Sequence, residues 1–557
     1  MSTTLDLSAI KDQDLKAAMK SASHLADYVS MISMRGYAVP EFVKKLEREH
    51  GLLKEPNLIY PLSDMVFVHI NSFGTLQDGY REYVIVEPAA PDRDLQNATD
   101  RMFASHAGML EPPIELTERF NVMEQYLNDT ISVSKKPVKY DSLKMEKIKK
   151  IPVYEKDIAC LKYHFLRKRA GLDLLDPFLM DPHLEDVSII GAGNMYVVHK
   201  IFGSLKSSIY LGTEEIDDLI IGMSEQFGKT ISHAKPVVDA QLPEGSRINI
   251  VYGKDVSRRG TNATIRRFAN VPLAITQIVQ SKTMNSTEAA YLWMMLSEGM
   301  SMFINGETAS GKTTTLMGIT SFIPSNLKIV TIEDTAEITL PHPNWISEVT
   351  RDAVNVNTSV TMFDLLKAAL RQRPNYIMIG EIRGAEGNTA FQAMQTGHPV
   401  ISTFHAGTMT SFLQRLTNPP IAVPKTHVDN LNIALFQAAV HGPDGKRMRR
   451  VLTINEILGY NSDENKVMYV PVFNWEASTD TVRFRGRGSS ALFQKILGLR
   501  GMSRKDEGLL YDELAFRAKI IEKMIEKKIF NFYDVFDSMV HCKEVGLDPF
   551  MKELEAL

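Results

Sequence analysis

Eight consecutive residues of this chain have the types and spacing of a phosphate cradle: Gly306-Glu307-Thr308-Ala309-Ser310-Gly311-Lys312-Thr313. They fit the pattern G-x-x-x-x-G-K-[ST], and Thr314 continues the hydroxyl run. In such a loop the backbone N–H groups and the positive end of the following helix converge on one anion. Lys312 is expected to reach the β- and γ-phosphates, and the Thr313 hydroxyl to ligate Mg²⁺. Hydrolysis of a bound nucleotide also needs a positioned water and charge stabilisation at the γ-phosphate. The side chains available for that work are Glu333, Glu337, Glu381, His398 and His405. In most phosphate-loop enzymes an Asp at a strand end holds the metal through water. Here Gly380 has that place, and Glu381 is the carboxylate left. The water-orienting base is then expected on the strand inserted between loop and metal strand, with Glu337 and Glu333 as candidates. The plain alternative for the acids is helix capping, and it weighs more for Glu333 than for Glu381. His398 and His405 flank one strand; they read either as structural histidines or as sensors of nucleotide state.

These groups need a scaffold that brings strand ends together. Met302-Phe303-Ile304 reads as a buried strand before the loop, and Thr314 to Ile319 as the first turns of a helix. Further strands are predicted at Lys328–Ile332, Tyr376–Ile379, Val400–Phe404 and Val451–Glu456, with helices at Met362–Arg371 and Ala385–Thr396 between them. Strand and helix alternate, and polar residues follow the strand ends, where open parallel sheets bind ligands. Asn285 and Glu288 form a capping-box pattern that opens the helix before the loop strand.

Upstream, residues 146–270 read as an α+β lobe with an amphipathic helix at 156–170, strands near Met195–His199 and Ser208–Leu211, and a helix at Glu214–Phe227. Its end is rich in arginine: Arg247, Arg258, Arg259, Arg266 and Arg267, closed by Phe268. A guanidinium fork suits phosphate, although surface charge is the plain reading. Residues 1–145 read as an extension with linker: helices over 1–50, the second opened by Pro40, strands at 65–70 and 82–87 joined through Asn71, Gly74, Asp78 and Gly79, a helix at 115–128, and a lysine-rich linker from Ser132 to Pro152. No chemistry is legible there, so docking or scaffolding is the favoured role. The ATPase-type core spans 271–460, and 461–557 reads as a hairpin with its turn at Ser478–Asp480 followed by helices at 509–527 and 531–540 that pack on the core.

Composition bounds the class. A chain of 557 residues with 44% hydrophobic content has material for two to four domains. The net charge of −4 and the lack of basic–aromatic stripes argue against a nucleic-acid partner. The basic runs Lys147–Lys150 and Lys446–Arg450 read as solvated faces. Two cysteines, Cys160 and Cys542, exclude a disulfide framework or a four-cysteine zinc site and suit a reducing cytoplasm. No apolar run approaches the roughly 18 residues of a membrane span, and the N-terminus has no signal-peptide profile.

The set GETASGKT, TIEDTAE, YIMIGEIRG and GHPVISTFHA resembles the secretion ATPase superfamily of type II secretion, type IV pilus and conjugation ATPases. Its Walker A loop, Asp box, Gly-Glu Walker B and His box occur in order. The runs LPHPNW (340–345) and FDLLKAALRQRP (363–374), and Gln414-Arg415-Leu416 followed by Pro424-Lys425, resemble the archaeal branch, and the long N-terminal region resembles the archaellum motor ATPase. The resemblance implies a RecA-like (ASCE P-loop) ATPase domain behind an α+β N-terminal domain, in a homo-hexamer with ATP where two lobes meet. It implies Glu337 as catalytic acid, Glu381 in the Mg²⁺ shell, and Arg247 and Arg266 approaching the phosphates. It implies work at the inner face of the membrane with a polytopic platform protein and cytoplasmic archaellum components. A pilus-assembly or type II secretion ATPase is the nearest alternative, and a nucleic-acid translocase the alternative of another class. The chain departs from bacterial type II assembly ATPases, which usually carry a four-cysteine zinc segment.

Overall fold

Burial alternates with period two along three short strands, Val237–Gln241, Arg247–Val251 and Asn262–Arg266. That is the pattern of strands with one face on a core and one face wet. The arginine-rich stretch is therefore a pair of hairpins, which the sequence reading had left without strands. The structure is a computed structural model and describes all residues other than 1–9, 11, 75–78, 107–115, 141–147, 227–228, 268–270, 352–358 and 443–446. Expectations that fall on Asp78, Lys147, Phe227, Phe268, Lys446 and the middle of the linker lie outside the described residues.

The chain divides into two compact units, Met1–Ala269 and Asn270–Leu557. In the first, ten strands form one sheet in the order 41–42, 57–61, 67–71, 81–86, 203–211, 193–199, 184–189, 262–266, 247–251 and 237–241. Arg81–Val86 of the extension pairs in parallel with Gly203–Leu211. The sheet thus runs through the boundary expected at 145/146. The two parts also share a core, in which Tyr60, Val68, Ile70 and Tyr83 pack with Val187, Val197 and Leu205. A buried polar knot joins them as well. Asp181 is fully buried and accepts from Tyr60 Oη at 2.6 Å and Tyr83 Oη at 2.9 Å through one carboxylate oxygen, and from the His183 amide at 2.8 Å through the other.

Helices form at Gln13–Ser21 and Ser23–Met34, and their apolar face (Leu15, Met19, Leu25, Val29) packs on Ile59 and Phe67. Pro40 does not open an α-helix; the next helical turn is the 3₁₀ segment Arg48–Leu52. Glu41–Phe42 instead adds an edge strand parallel to Leu58–Ile59, and the Phe42 amide donates to Asp12. Val43 and Leu46 are buried, but outside any helix or strand. Among the described residues, no helix is long and apolar enough to cross a membrane.

The second unit carries a nine-stranded sheet in the order 345–349, 329–333, 376–381, 400–404, 302–305, 433–441, 447–461, 466–476 and 481–484. The first six are parallel and the last three antiparallel. With the loop strand as first, the core order is 2-3-4-1-5, the RecA-like α/β arrangement, with Trp345–Val349 added at its edge. Ile433–His441, absent from the sequence reading, is the fifth strand. The expected strand at 451–456 is the middle of the long antiparallel partner Arg447–Asn461. The capping box forms as read, with Glu288 N on Asn285 Oδ1 at 2.7 Å and Asn285 N on Glu288 Oε2 at 2.8 Å. The C-terminal helices Glu507–Glu526, Phe532–Val545 and Leu547–Ala556 bury Leu514, Ile521, Met539 and Phe550 on the same core as Met302 and Ile304.

Candidate functional site

The loop is shaped by two left-handed residues. Gly311 has φ +93° and Ala309 has φ +61°. Gly311 ends the loop and opens the helix Lys312–Ile319, which has no side-chain cap. Among the described residues no side chain caps its first-turn N–H groups, which leaves them available to an anion. A Cβ on Gly306 would collide with the Gln437 carbonyl, so glycine is required there too. Lys312 is buried, and its ammonium donates to the carbonyls of Gly306 and Glu307, each at 3.0 Å. Ser310 Oγ donates to Glu307 O at 2.8 Å. The hydroxyl of Thr313 has no protein partner among the described residues and remains open to a cation. Glu307 and Thr308 are exposed at the loop tip, and Thr314 is half-buried behind it.

Gln437 braces the loop from the fifth strand. Its Nε2 donates to Ser310 O at 2.5 Å, and its Oε1 accepts from Thr315 at 2.8 Å. The sequence reading missed it. The signal was the apolar run Ile433–Phe436 ending in a single amide.

The acids and His405 gather at the C-terminal edge of the parallel strands. Glu381 Oε2 pairs with Arg383 Nη2 at 2.7 Å, and its Oε1 lies 3.3 Å from His405 Nε2. Burial pushes the Glu381 carboxyl up, but Arg383, His405 and Lys312 outweigh it and hold the group below its ordinary range. His405 is lowered by burial first and then by Lys312, which keeps its imidazole neutral at pH 7. Asp334 and Glu337 both act on the Arg383 charge, which brings the Asp box to the same cluster.

Glu333 has a different place from the one expected. In space, the strand between the loop strand and Tyr376–Glu381 is Val400–Phe404, which ends in His405. Glu333 and Glu337 lie on the far side of Tyr376–Glu381. Glu333 is buried, and its Oε1 accepts from the amides of Glu337 and Ile338, each at 3.0 Å. Burial raises its pKa to about 8, against those two hydrogen bonds. Glu333 therefore holds the turn that carries Glu337. It also accounts for Gly380: a Cβ there would lie 3.2 Å from Glu333 Cγ. The neighbouring strand's side chain fills the space an Asp would take, and the carboxylate at this strand end stands one residue on, at Glu381.

His398 is not brought to this cluster within the unit. It precedes Val400–Phe404, whereas His405 follows it. At about 3.3 Å per residue the two are roughly 20 Å apart, on opposite edges of the sheet. His398 bonds locally, to Thr396 Oγ1 at 3.1 Å. In the first unit, Arg247 and Arg266 are registered partners on neighbouring strands, flanked by Asp239 and Asp186.

A family model described as "Type II/IV secretion system protein" matches residues 227–436. An uncharacterized protein of Methanocaldococcus jannaschii, MJ0900, is 41% identical over 547 residues, covering 97% of this chain and 98% of that one. The chain belongs to the type II/IV secretion ATPase superfamily. A second uncharacterized M. jannaschii protein, MJ1287, is 37% identical over 48% of the chain and 97% of its own length. The type IV secretion system protein VirB11 of Brucella suis is 27% identical over 44% of the chain and 75% of its own length. For this secretion ATPase the full-length match carries weight, because it includes the extension that shares a sheet with the lobe.

The residues present fit a hydrated Mg²⁺ carried with nucleotide. Thr313 offers an uncommitted hydroxyl, and Glu381 offers a carboxylate held ionised. Among the described residues, no cluster of three or more His, Cys, Asp or Glu could hold a metal without a nucleotide.

Proposed function

We propose that the chain hydrolyses ATP with Mg²⁺ and acts as a homo-hexameric motor of a membrane-anchored filament machine, with the archaellum as the favoured machine and a pilus or type II secretion system as its nearest alternative. The observation that carries the hydrolytic reading is the meeting, at one edge of the parallel sheet, of the phosphate loop, Glu381, His405 and the turn holding Glu337. Lys312 and the open N–H groups of the helix bind the phosphates. Thr313 and Glu381 would hold Mg²⁺, which would supply charge neutralisation at the phosphates. Glu337 orients the attacking water, and Glu333 holds the Glu337 turn. Arg247 and Arg266 are assigned to phosphate recognition. Paired across adjacent strands beside Asp239 and Asp186, they present two guanidinium forks of the kind that suits phosphate.

The motor works at the cytoplasmic face of the membrane through a polytopic platform protein and cytoplasmic archaellum components, without nucleic acid. Release of phosphate by wild type and Glu337→Gln tests the hydrolytic core. A loss of at least about 10²-fold is expected for a general base. Equal rates would remove the role from Glu337. Pull-down from membranes tests the machine: recovery of archaellum components supports the favoured reading, and pilus components the alternative.

A further inference from the structure

Strand alternation divides the basic run near 450 into two different jobs. Arg450 is buried, and its Nε and Nη2 form a fork on Asp480 at 2.7 and 2.8 Å. Asp480 also accepts from Trp475 Nε1 at 3.0 Å. Arg450 Nη1 donates back to the Arg449 carbonyl at 2.8 Å. These bonds, together with Val451 N on Thr283 O at 2.7 Å, hold the strand in one register. Because successive side chains point to opposite faces, Arg449 must face the other way.

It faces the phosphate loop. Arg449 Nε donates to Ala309 O at 3.2 Å, and its Cδ lies 3.1 Å from where a Gly311 Cβ would stand. The side chain is exposed, and among the described residues its two terminal NH₂ arms have no protein partner. A guanidinium tethered by Nε with both arms open is arranged to grip a second group in two places.

The side of the loop on which it stands is informative. The loop strand lies between Val400–Phe404 on one flank and Ile433–His441 on the other. Glu381 and His405 are on the first flank, so on the ATPase reading the γ-phosphate end of a bound nucleotide would point there. The rest of the nucleotide would then leave the loop toward the second flank. Gln437 and Arg449 belong to that flank.

We propose that Arg449 binds the nucleoside end of the substrate, at the α-phosphate and ribose, from within the same subunit. This rests on the ATPase reading and adds a residue to it. Its interaction is the same with ATP and ADP, because both carry that end. It therefore sets affinity and leaves the chemical step alone.

The test uses the full chain, with fluorescent ADP for binding and phosphate release for turnover, in wild type, Arg449→Ala and Arg449→Lys. Circular dichroism verifies folding; the side chain is exposed, so the fold is expected to hold. The expected result for Arg449→Ala is a rise of about tenfold in both Kd for ADP and KM for ATP, with kcat within twofold. Arg449→Lys keeps the charge and loses the two-armed grip, so it falls between the two. Unchanged Kd and KM would overturn the proposal. So would a loss of kcat at constant KM, which would put Arg449 at the reacting end or at a subunit contact. If wild type itself failed to bind ADP, the ATPase reading would fall and the role of Arg449 with it, a result distinct from binding that ignores the substitution.

Discussion

Replacing Asp181 by alanine is expected to loosen the extension from the lobe that shares its sheet. The carboxylate is fully buried and serves three donors, Tyr60 Oη, Tyr83 Oη and the His183 amide. Tyr60 and Tyr83 come from extension strands, whereas Asp181 and His183 belong to the lobe. A hydrogen bond to a charged group is worth about 1.5–3 kcal/mol, and a stranded buried donor costs about 1–3 kcal/mol. Three such bonds, allowing for partial relaxation, give a loss of roughly 3–6 kcal/mol. The Asp181 charge also faces the half-buried Arg267, whose Nε and Nη1 have no hydrogen-bond partner among the described residues, so alanine leaves that cation less compensated. Asn is the milder change. Its one carbonyl oxygen can serve the tyrosines or the His183 amide but not both sets, and about 1–3 kcal/mol is expected. Hydrogen exchange by mass spectrometry is the suitable assay. All three tryptophans, Trp293, Trp345 and Trp475, lie in the second unit, so tryptophan fluorescence would miss the event. Strands Asn57–Pro61 and Arg81–Val86 should lose protection, while the loop strand Met302–Asn305 should not. Unaltered protection in the alanine variant would refute the claim that this knot holds the extension to the lobe.

Three further outcomes follow from the second unit. Gly380→Asp should abolish hydrolysis and lower stability by about 1–3 kcal/mol through overpacking against Glu333, and Glu333→Ala in the same chain should restore stability; additive effects in a double-mutant cycle would contradict the shared space. Glu288 is buried with its pKa raised to about 8, so its favourable contribution is complete below the unfolded value of 4.5 and lost as pH rises through about 8. Thermal midpoints should therefore fall less steeply from pH 5 to 9 in Glu288→Gln than in wild type, with Glu333 and Asp176, both raised by burial, contributing to the slope that remains. Glu456 accepts from Tyr291, Ser490 and the amides of Ala491 and Leu492, so Glu456→Ala should cost about 3 kcal/mol in urea unfolding and deprotect the helix Ala491–Leu499.

Much of the candidate site's geometry was legible in advance because its pieces are local. A glycine loop, a capping box and the acids after strands each depend on residues a few positions apart, and the loop, Glu381 and His405 stand where that logic put them. The hairpin around Asp480 was legible for the same reason. Where a short segment could satisfy two patterns, local reading went astray. Pro40 could open a helix, but an open strand edge at Leu58–Ile59 took the segment instead. His398 and His405 look equivalent on the page, and only the strand direction separates them.

By itself, the sequence determined the phosphate loop, the order of the four motifs and the alternation that makes a parallel sheet. These rest on spacing and period, which are properties of the chain. Tertiary structure decided which strand lies beside which. That choice put Glu333 against Gly380, Gln437 and Arg449 against the loop, and the extension into the lobe's own sheet. Residues scores or hundreds of positions apart met there because burying apolar faces and pairing sheet edges are global conditions, satisfied by the whole fold at once.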